Sequence, residues 1–290
     1  MAIIRTASNG IRRGRVGDTT YYYRNGEQVA RQARNNSNYG AAATRAPLQQ
    51  YRRVKWANLV NFFRLSSSWM KGAFESKLTN QTDYNAFMSR NIGSSVVALT
   101  KDMARNNACV VCPYIVSRGT LYSIGYDYTP SGPPAIHLQI YINMTIGAST
   151  TIKQLSEAII AAGFDWQNGD NLAYIFYGNT LDSRGYPIAT CVYYEFTLDT
   201  SNTALVSTLP IYEVLNVGEN GLWAAHGNVP GIAVNGFAAI HTRRSERLQV
   251  SSQEVLLISD ALVLQFSGDE WEQECIDSYG VDVDVVLAPN

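Results

Sequence analysis

Long apolar runs are absent from this sequence. No stretch approaches the roughly 18 consecutive apolar residues that a membrane-spanning helix needs, and the stretch from Met1 to Arg5 lacks the apolar core of a signal peptide. We therefore expect a protein with no membrane contact and no leader to be removed. With 46% hydrophobic and 16% charged residues, the 290-residue chain has enough apolar material to bury a core, so it is predicted to be globular.

Cysteine is also scarce, which excludes the dense disulfide framework of small secreted proteins. Cys109 and Cys112 form one CxxC pair, but no second CxxC pair and no histidine pair at metal-ligand spacing accompanies them. The pair lies in an apolar stretch typical of a buried strand, where residues three apart point to opposite faces. We interpret both residues as buried free thiols and predict no bound metal; zinc binding or redox chemistry is the alternative.

Recognisable catalytic motifs are missing too. The histidines stand far apart and none has a serine or a carboxylate in a nucleophile motif; they are His137, His226 and His241. The glycines from Gly10 to Gly17 lack the Lys-Ser/Thr ending of a phosphate-binding loop. The sequence therefore predicts no catalytic residue and no cofactor. We interpret the protein as a structural or binding component, not an enzyme.

What the sequence does have is a strong separation of charge. Residues 1–110 contain 17 Lys and Arg against 5 Asp and Glu, a balance of +12, whereas residues 111–290 contain 6 against 19, a balance of −13. A basic segment favours nucleic acid or an acidic protein surface as its partner, and an acidic segment repels nucleic acid. The same separation allows the basic part of one copy to dock on the acidic part of another.

Residues 1–46 are predicted to form a basic arm, because they are rich in glycine and arginine and have few apolar residues. The stretch from Asp18 to Tyr23, the turn Asn25-Gly26 and the return stretch from Glu27 to Arg31 predict a β-hairpin. A loop is expected over 35–40. Since an isolated hairpin is only marginally stable in water, we expect the arm to become ordered against a neighbouring molecule.

Residues 47–105 are predicted to be a helical segment. Pro47 suits a first helical turn, and apolar residues then recur on one face until Gly72, where we expect the helix to end. A second helix is predicted from Asp83 to Arg90. These helices would connect the arm to the rest of the chain.

Residues 106–290 are predicted to form an acidic, β-rich domain. Turn residues separate its candidate strands, which cover 110–116, 121–128, 136–146, 172–177, 188–198, 236–241 and 255–266. Apolar residues alternate cleanly from Ile136 to Ile146, which indicates a strand with one exposed face.

Two helices are predicted within this β-rich domain. One covers 151–162, where Thr151 and Gln154 have the spacing of a capping box, and the other covers 269–279. The fold class is therefore α+β: a basic hairpin arm and helices, followed by a mainly antiparallel β-domain with one or two helices.

Arginine and tyrosine side chains are the predicted partner-binding residues. Both types anchor protein interfaces, and tyrosines beside arginines also suit nucleic acid, where rings stack on bases and guanidinium groups contact phosphates. In the arm they are Arg12, Arg13, Arg15, Tyr21, Tyr22, Tyr23, Arg24 and Arg31. The second half has one basic cluster, which contributes Arg243, Arg244 and Arg247; a hairpin turn with solvated charges is the alternative interpretation.

The order of residues in the first 90 positions carries a family resemblance. Gly14-Arg15-Val16-Gly17 precedes Tyr22-Tyr23, and a predicted helix with Gln49-Gln50 and Arg52-Arg53 follows. This order resembles a domain family of unknown function found in Bacteroidetes genomes and their phages. In that family a Gly-x-x-Gly-Lys-Val-Gly start precedes a Tyr-containing strand and a helix that begins Asn-Pro-Arg-Thr-x-x-Gln-x-x-Gln-Arg. Here Arg15 replaces the lysine, and Thr44-Arg45-Ala46-Pro47 stands near the position of Asn-Pro-Arg-Thr.

The resemblance implies a function as well. Members of that family have no assigned catalytic residues, and they occur in phages that include crAss-like phages of gut Bacteroidetes. It therefore implies a virion structural or assembly protein of the head, the portal region or the tail. Such a protein would be assembled in the host cytoplasm, with other copies and other virion proteins as partners. The first alternative is a nucleic-acid-binding or packaging-associated protein that uses residues 1–64, and the second is a hydrolase that acts through the β-rich domain.

Overall fold

A computed structural model describes residues 2–4, 14–16, 19–24, 27–32, 47–75, 77, 81–128, 136–163, 165–215 and 221–279. The predicted α+β class is confirmed: helices combine with mostly antiparallel sheets, and the carboxy-terminal part is rich in strands. Within these ranges no helix is long and apolar enough to cross a membrane. The loop predicted over 35–40 lies outside the described residues.

The amino-terminal residues form a four-stranded antiparallel sheet, which we call the arm sheet. The predicted hairpin is confirmed, since β3 (Thr19–Arg24) pairs with β4 (Glu27–Gln32) along its whole length. Two short strands that the sequence did not predict extend it. β1 (Ala2–Ile4) pairs with β4, and β2 (Gly14–Val16) pairs with β3, so the order is β1-β4-β3-β2. The arm therefore has a wider hydrogen-bonded sheet than a lone hairpin.

Helices follow the arm, as predicted. α1 (Pro47–Ser66) ends before Gly72, whose φ of 84° closes the turn beyond the helix. α2 (Asp83–Asn91) starts at Thr82, whose side-chain oxygen accepts a hydrogen bond from the backbone amide of the third residue of the helix. A short helix that the sequence did not predict, α3 (Lys101–Arg105), completes the segment.

The largest sheet is antiparallel and is centred on β8 (Asn171–Leu181). β9 (Pro187–Thr197) pairs with one side of β8, and β11 (Val234–Arg244) pairs with the other. β12 (Leu248–Val250) and β14 (Leu256–Leu257) pair with the outer side of β11. The strands predicted over the three long members are confirmed.

Shorter elements surround this sheet. α4 (Ile152–Ala161) begins where it was predicted, with both reciprocal hydrogen bonds of the capping box present. The predicted final helix is confirmed as α6 (Asp269–Ser278). The strand predicted over 255–266 is wrong in its second half, because the chain leaves β14 and forms α5 (Ala261–Gln265). Short 3-10 helices cover Val206–Thr208, Pro210–Val214 and His226–Asn228.

The two faces of the large sheet are buried in different cores. Ile175 and Tyr177 of β8 lie in a cluster with Phe62 of α1, whereas Tyr174 lies in a second cluster with Ile159 of α4. This is the alternation that a strand with two buried faces requires. The helical segment and the β-rich part therefore share a core, and the sheet is the layer between helices on either side.

The apolar stretch predicted to be a strand over 110–116 is buried, but few of its residues pair with a neighbouring strand. Only β5 (Ile115–Ser117) pairs, with β13 (Gln253–Glu254). The assignment of a strand to the rest of this stretch is therefore wrong, although its burial is confirmed. The apolar pattern of a sequence indicates which residues are buried, but it does not show which groups form hydrogen bonds with the backbone there.

Asparagine side chains satisfy the backbone there. The Asn58 carboxamide accepts a hydrogen bond from the Val110 amide at 2.8 Å and donates to the Val110 carbonyl at 3.0 Å. Asn179 accepts from the amide of Val111 at 2.7 Å, and Asn91 bonds the next part of the segment in the same way. Buried backbone groups must find partners, and here amide side chains replace a neighbouring strand.

A smaller three-stranded sheet packs beside the second core. β7 (Ile136–Leu138) lies between β6 (Tyr126–Asp127) and β10 (Trp223–Ala224). The strands predicted over 121–128 and 136–146 are therefore much shorter than expected. Beyond β7 the predicted alternation of burial nevertheless continues to residue 146, so the exposed face predicted for this stretch is confirmed.

Candidate docking surfaces

The arm sheet brings predicted partner-binding residues together. Backbone register places Arg15, Thr20 and Arg31 opposite one another in a row across β2, β3 and β4. Arg31 is exposed, and its guanidinium carbon lies 5.4 Å from the centre of the Tyr22 ring. Tyr21 is half-buried. This cation–π contact holds a charged group and a flat ring side by side on one surface.

Arg12 and Arg13 lie outside the described residues. For Arg15, Tyr23 and Arg24 the structure describes the backbone, which belongs to the strands of the arm sheet. Their role in binding a partner stays a prediction.

The basic cluster of the second half lies on the hairpin between β11 and β12, and its arginines differ in their surroundings. Arg244 and Arg247 are exposed. Arg243 is only 11% exposed at its side chain, because its guanidinium group donates to both carboxylate oxygens of Asp170 at 2.9 and 2.8 Å and forms an ion pair with Asp165 at 2.9 Å. The guanidinium group of Arg243 is thus occupied by contacts within its own chain, so only Arg244 and Arg247 remain docking candidates in this cluster.

Asp170 is the centre of a buried ion cluster that the sequence did not predict. His241 Nε2 lies 2.8 Å from the Asp170 carboxylate, and both side chains are 1% exposed. The indole of Trp166 stacks on the imidazole of His241 with ring centres 3.7 Å apart. Burial raises the pKa of Asp170, but hydrogen bonds from Arg243 and His241 outweigh it and lower the pKa to about 2. The cluster ties β11 to the loop that precedes β8.

A cleft of about 330 Å³ opens where α1 has ended and the large sheet continues. Its lining includes Lys71 and Arg244, the acidic residue Glu195 and the ring of Trp69. The side-chain oxygen of Asn171, in the lining, is buried without a hydrogen-bond partner among the described residues. A cleft of this volume is at the lower end of the range for ligand pockets. Its lining has both basic and acidic side chains, which suits a partner that carries charges of both signs.

Helix α6 presents an acidic surface. Its buried side is anchored by Cys275 and by Trp271, whose indole donates to the Ala98 carbonyl at 2.9 Å. Away from this buried side, Glu270, Glu274 and Asp277 are exposed at a spacing of three to four residues, which places them on one face. We call these three residues the acidic face of α6.

The predicted thiols and histidines lie apart from these surfaces. Cys109 and Cys112 are buried free thiols, and burial raises the pKa of Cys112 to about 12. Across the described ranges no group of histidine, cysteine, aspartate or glutamate side chains could hold a metal ion. His226 is partly buried, which lowers its pKa, and His137 lies on β7 beside Asp127 at 3.4 Å. None of these groups is within the arm sheet, the cleft or the acidic face.

No protein-family model, no curated protein sequence and no solved structure matches the chain.

Proposed function

We propose that this chain is a structural subunit of a phage virion, without catalytic activity, which docks through its basic arm on neighbouring copies and on other virion proteins. The observation that carries the proposal is that one chain has two surfaces of opposite charge, the basic arm sheet and the acidic face of α6. The assignment to a virion rests on the family resemblance of the first 90 residues. Assembly in the host cytoplasm, in the head, portal region or tail, belongs to the same proposal.

The spacing of the two surfaces supports docking between copies. Arg15 and Arg31 are separated by two strand spacings, about 10 Å between their Cα atoms. Glu270 and Asp277 are seven residues apart on a helix, which is also about 10 Å along the axis. The backbone positions of the two arginines therefore have the same spacing as the positions of the two carboxylates on α6. Paired charges of this kind give specificity and fast association more than affinity.

Charge reversal tests this docking. Glu270→Lys with Asp277→Lys should weaken self-association at low salt, and Arg31→Glu with Arg15→Glu should do the same. Mixing the two double variants should restore association, because the charges again oppose each other. The control is Glu254→Lys, which reverses an exposed carboxylate on β13 instead of one on α6. Sedimentation of the full chain measures the result, and unchanged association of both double variants would overturn the proposal.

The second candidate is a nucleic-acid-binding or packaging-associated arm. The contact between Arg31 and the Tyr22 ring favours it, since stacked rings beside guanidinium groups bind single strands. If the arm binds duplex DNA, the double substitution Arg15→Ala and Arg31→Ala makes the plot of log binding constant against log salt concentration less steep. The slope should fall by about 0.9 for each phosphate that an arginine no longer neutralises. Docking on protein predicts instead that nucleic-acid binding is weak before any substitution.

A further inference from the structure

The alternation along residues 136–146 leaves a second set of side chains on the outer face of the small sheet. The even-numbered positions from Ile136 to Ile142 are buried. The odd-numbered positions include His137 and Tyr141, and Tyr141 is 60% exposed. A single exposed ring is ordinary on a protein surface, so the groups that it contacts decide whether it marks a binding site.

Strand β10 adds an indole to this face. Trp223 lies opposite His137 in the register of β10 and β7. The ring centres of these two residues are 4.5 Å apart with the rings tilted by 42°, and the rings of His137 and Tyr141 are 5.8 Å apart with a tilt of 54°. The three rings are therefore in contact in a row, which we call the aromatic wall; Tyr141 is its exposed end, and His137 and Trp223 are half-buried.

An open hollow of about 350 Å³ lies against the aromatic wall. Gly221, with φ of 101°, forms part of its lining, and a Cβ atom at this position would lie 3.0 Å from His137 Nε2. Glycine therefore leaves that ring nitrogen within reach of a ligand. Asn143, which is exposed, adds a carboxamide to the lining.

The chemistry of the lining selects one class of ligand. Among the described residues that line the hollow there is no lysine, arginine, aspartate or glutamate, in contrast to the cleft with Lys71 and Arg244. The rings offer flat apolar surfaces, while His137 and Asn143 offer hydrogen bonds to hydroxyl groups. A pyranose ring presents C–H bonds on one face and hydroxyl groups around its edge. We propose that the aromatic wall is a binding site for a neutral carbohydrate.

A glycan array of neutral and acidic oligosaccharides, probed with the labelled full chain, tests the site. We expect binding to neutral glycans, and titration of the best of them should quench tryptophan fluorescence with an apparent Kd near millimolar. Tyr141→Ala should weaken binding at least tenfold, whereas Tyr141→Phe should keep it within about threefold, because the ring surface remains. The matched control is Tyr193→Ala, a tyrosine on β9 that is 42% exposed and lies outside the hollow.

Several outcomes would overturn the proposal. These are the absence of binding on the array, binding only to acidic glycans, or equal binding by the wild-type chain and Tyr141→Ala. Loss of self-association in Tyr141→Ala without any glycan binding would assign the aromatic wall to a protein interface. Melting curves of each variant show that a loss of binding does not come from unfolding.

Discussion

A single substitution at Asp170 tests how much the buried ion cluster contributes to the stability of the fold. Asp170→Asn keeps the shape of the side chain but removes the negative charge that faces Arg243 and His241 at 2.8 to 2.9 Å. Removing one partner of a buried charge pair leaves the other uncompensated, which costs about 3 to 5 kcal/mol. Since Arg243 retains its ion pair with Asp165, we expect the lower end, about 3 kcal/mol, at neutral pH.

The same contacts predict a dependence on pH. The pKa of Asp170 is lowered from 3.8 to about 2 in the folded protein, so the carboxylate contributes stability that is present above its unfolded pKa of 3.8 and is lost as the pH falls through about 2. The shift corresponds to about 2.4 kcal/mol in total, of which about half should be lost at pH 3. The Asn variant lacks this contribution at every pH, so its difference from the wild-type chain should shrink on acidification.

Urea denaturation at pH 7 and at pH 3 measures both effects. The matched control is Asp165→Asn, which removes the other carboxylate on Arg243; because that side chain is 69% exposed and screened by solvent, its loss should cost clearly less than the loss of Asp170. A cost below about 1 kcal/mol for Asp170→Asn, or a difference from the wild-type chain that is equal at both pH values, would refute the reasoning.

Two further predictions concern the core. Asn58→Ala leaves the amide and carbonyl of buried Val110 without their partner and should cost about 2 to 4 kcal/mol in urea denaturation; a cost under about 1 kcal/mol would show that another group replaces the carboxamide. Cys109 and Cys112 should not react with a thiol reagent at pH 8 until urea unfolds the chain, because burial raises the pKa of both thiols. Rapid labelling of the native protein would contradict this.

The elements that could be predicted from the sequence have strong local signals. The hairpin follows from Asn25-Gly26 between strand-forming stretches, and the start of α4 follows from a capping box. The outward positions of His137 and Tyr141 follow from simple alternation. In each case the determining residues lie within a few positions of one another, so no knowledge of the tertiary fold is needed.

The elements that could not be predicted depend on distant residues. Asp170 and His241 are brought together only by the pairing of β8 with β11, which the sequence does not specify. The segment around Val110 has the pattern of a strand because its burial is visible in the sequence, while the asparagines that satisfy its backbone are far away along the chain. The cleft likewise combines residues that follow α1 with residues of the large sheet, which are far apart along the chain.

Removal of residues 1–45 tests the central claim, docking through the arm, most directly. Among the described residues, the three buried clusters contain none before Val54, so the shortened chain should fold with a melting temperature close to that of the full chain. Sedimentation at low salt is the measurement. We expect the full chain to self-associate, less strongly as salt screens the charges, and the shortened chain to remain monomeric. Self-association of the shortened chain equal to that of the full chain would contradict the account.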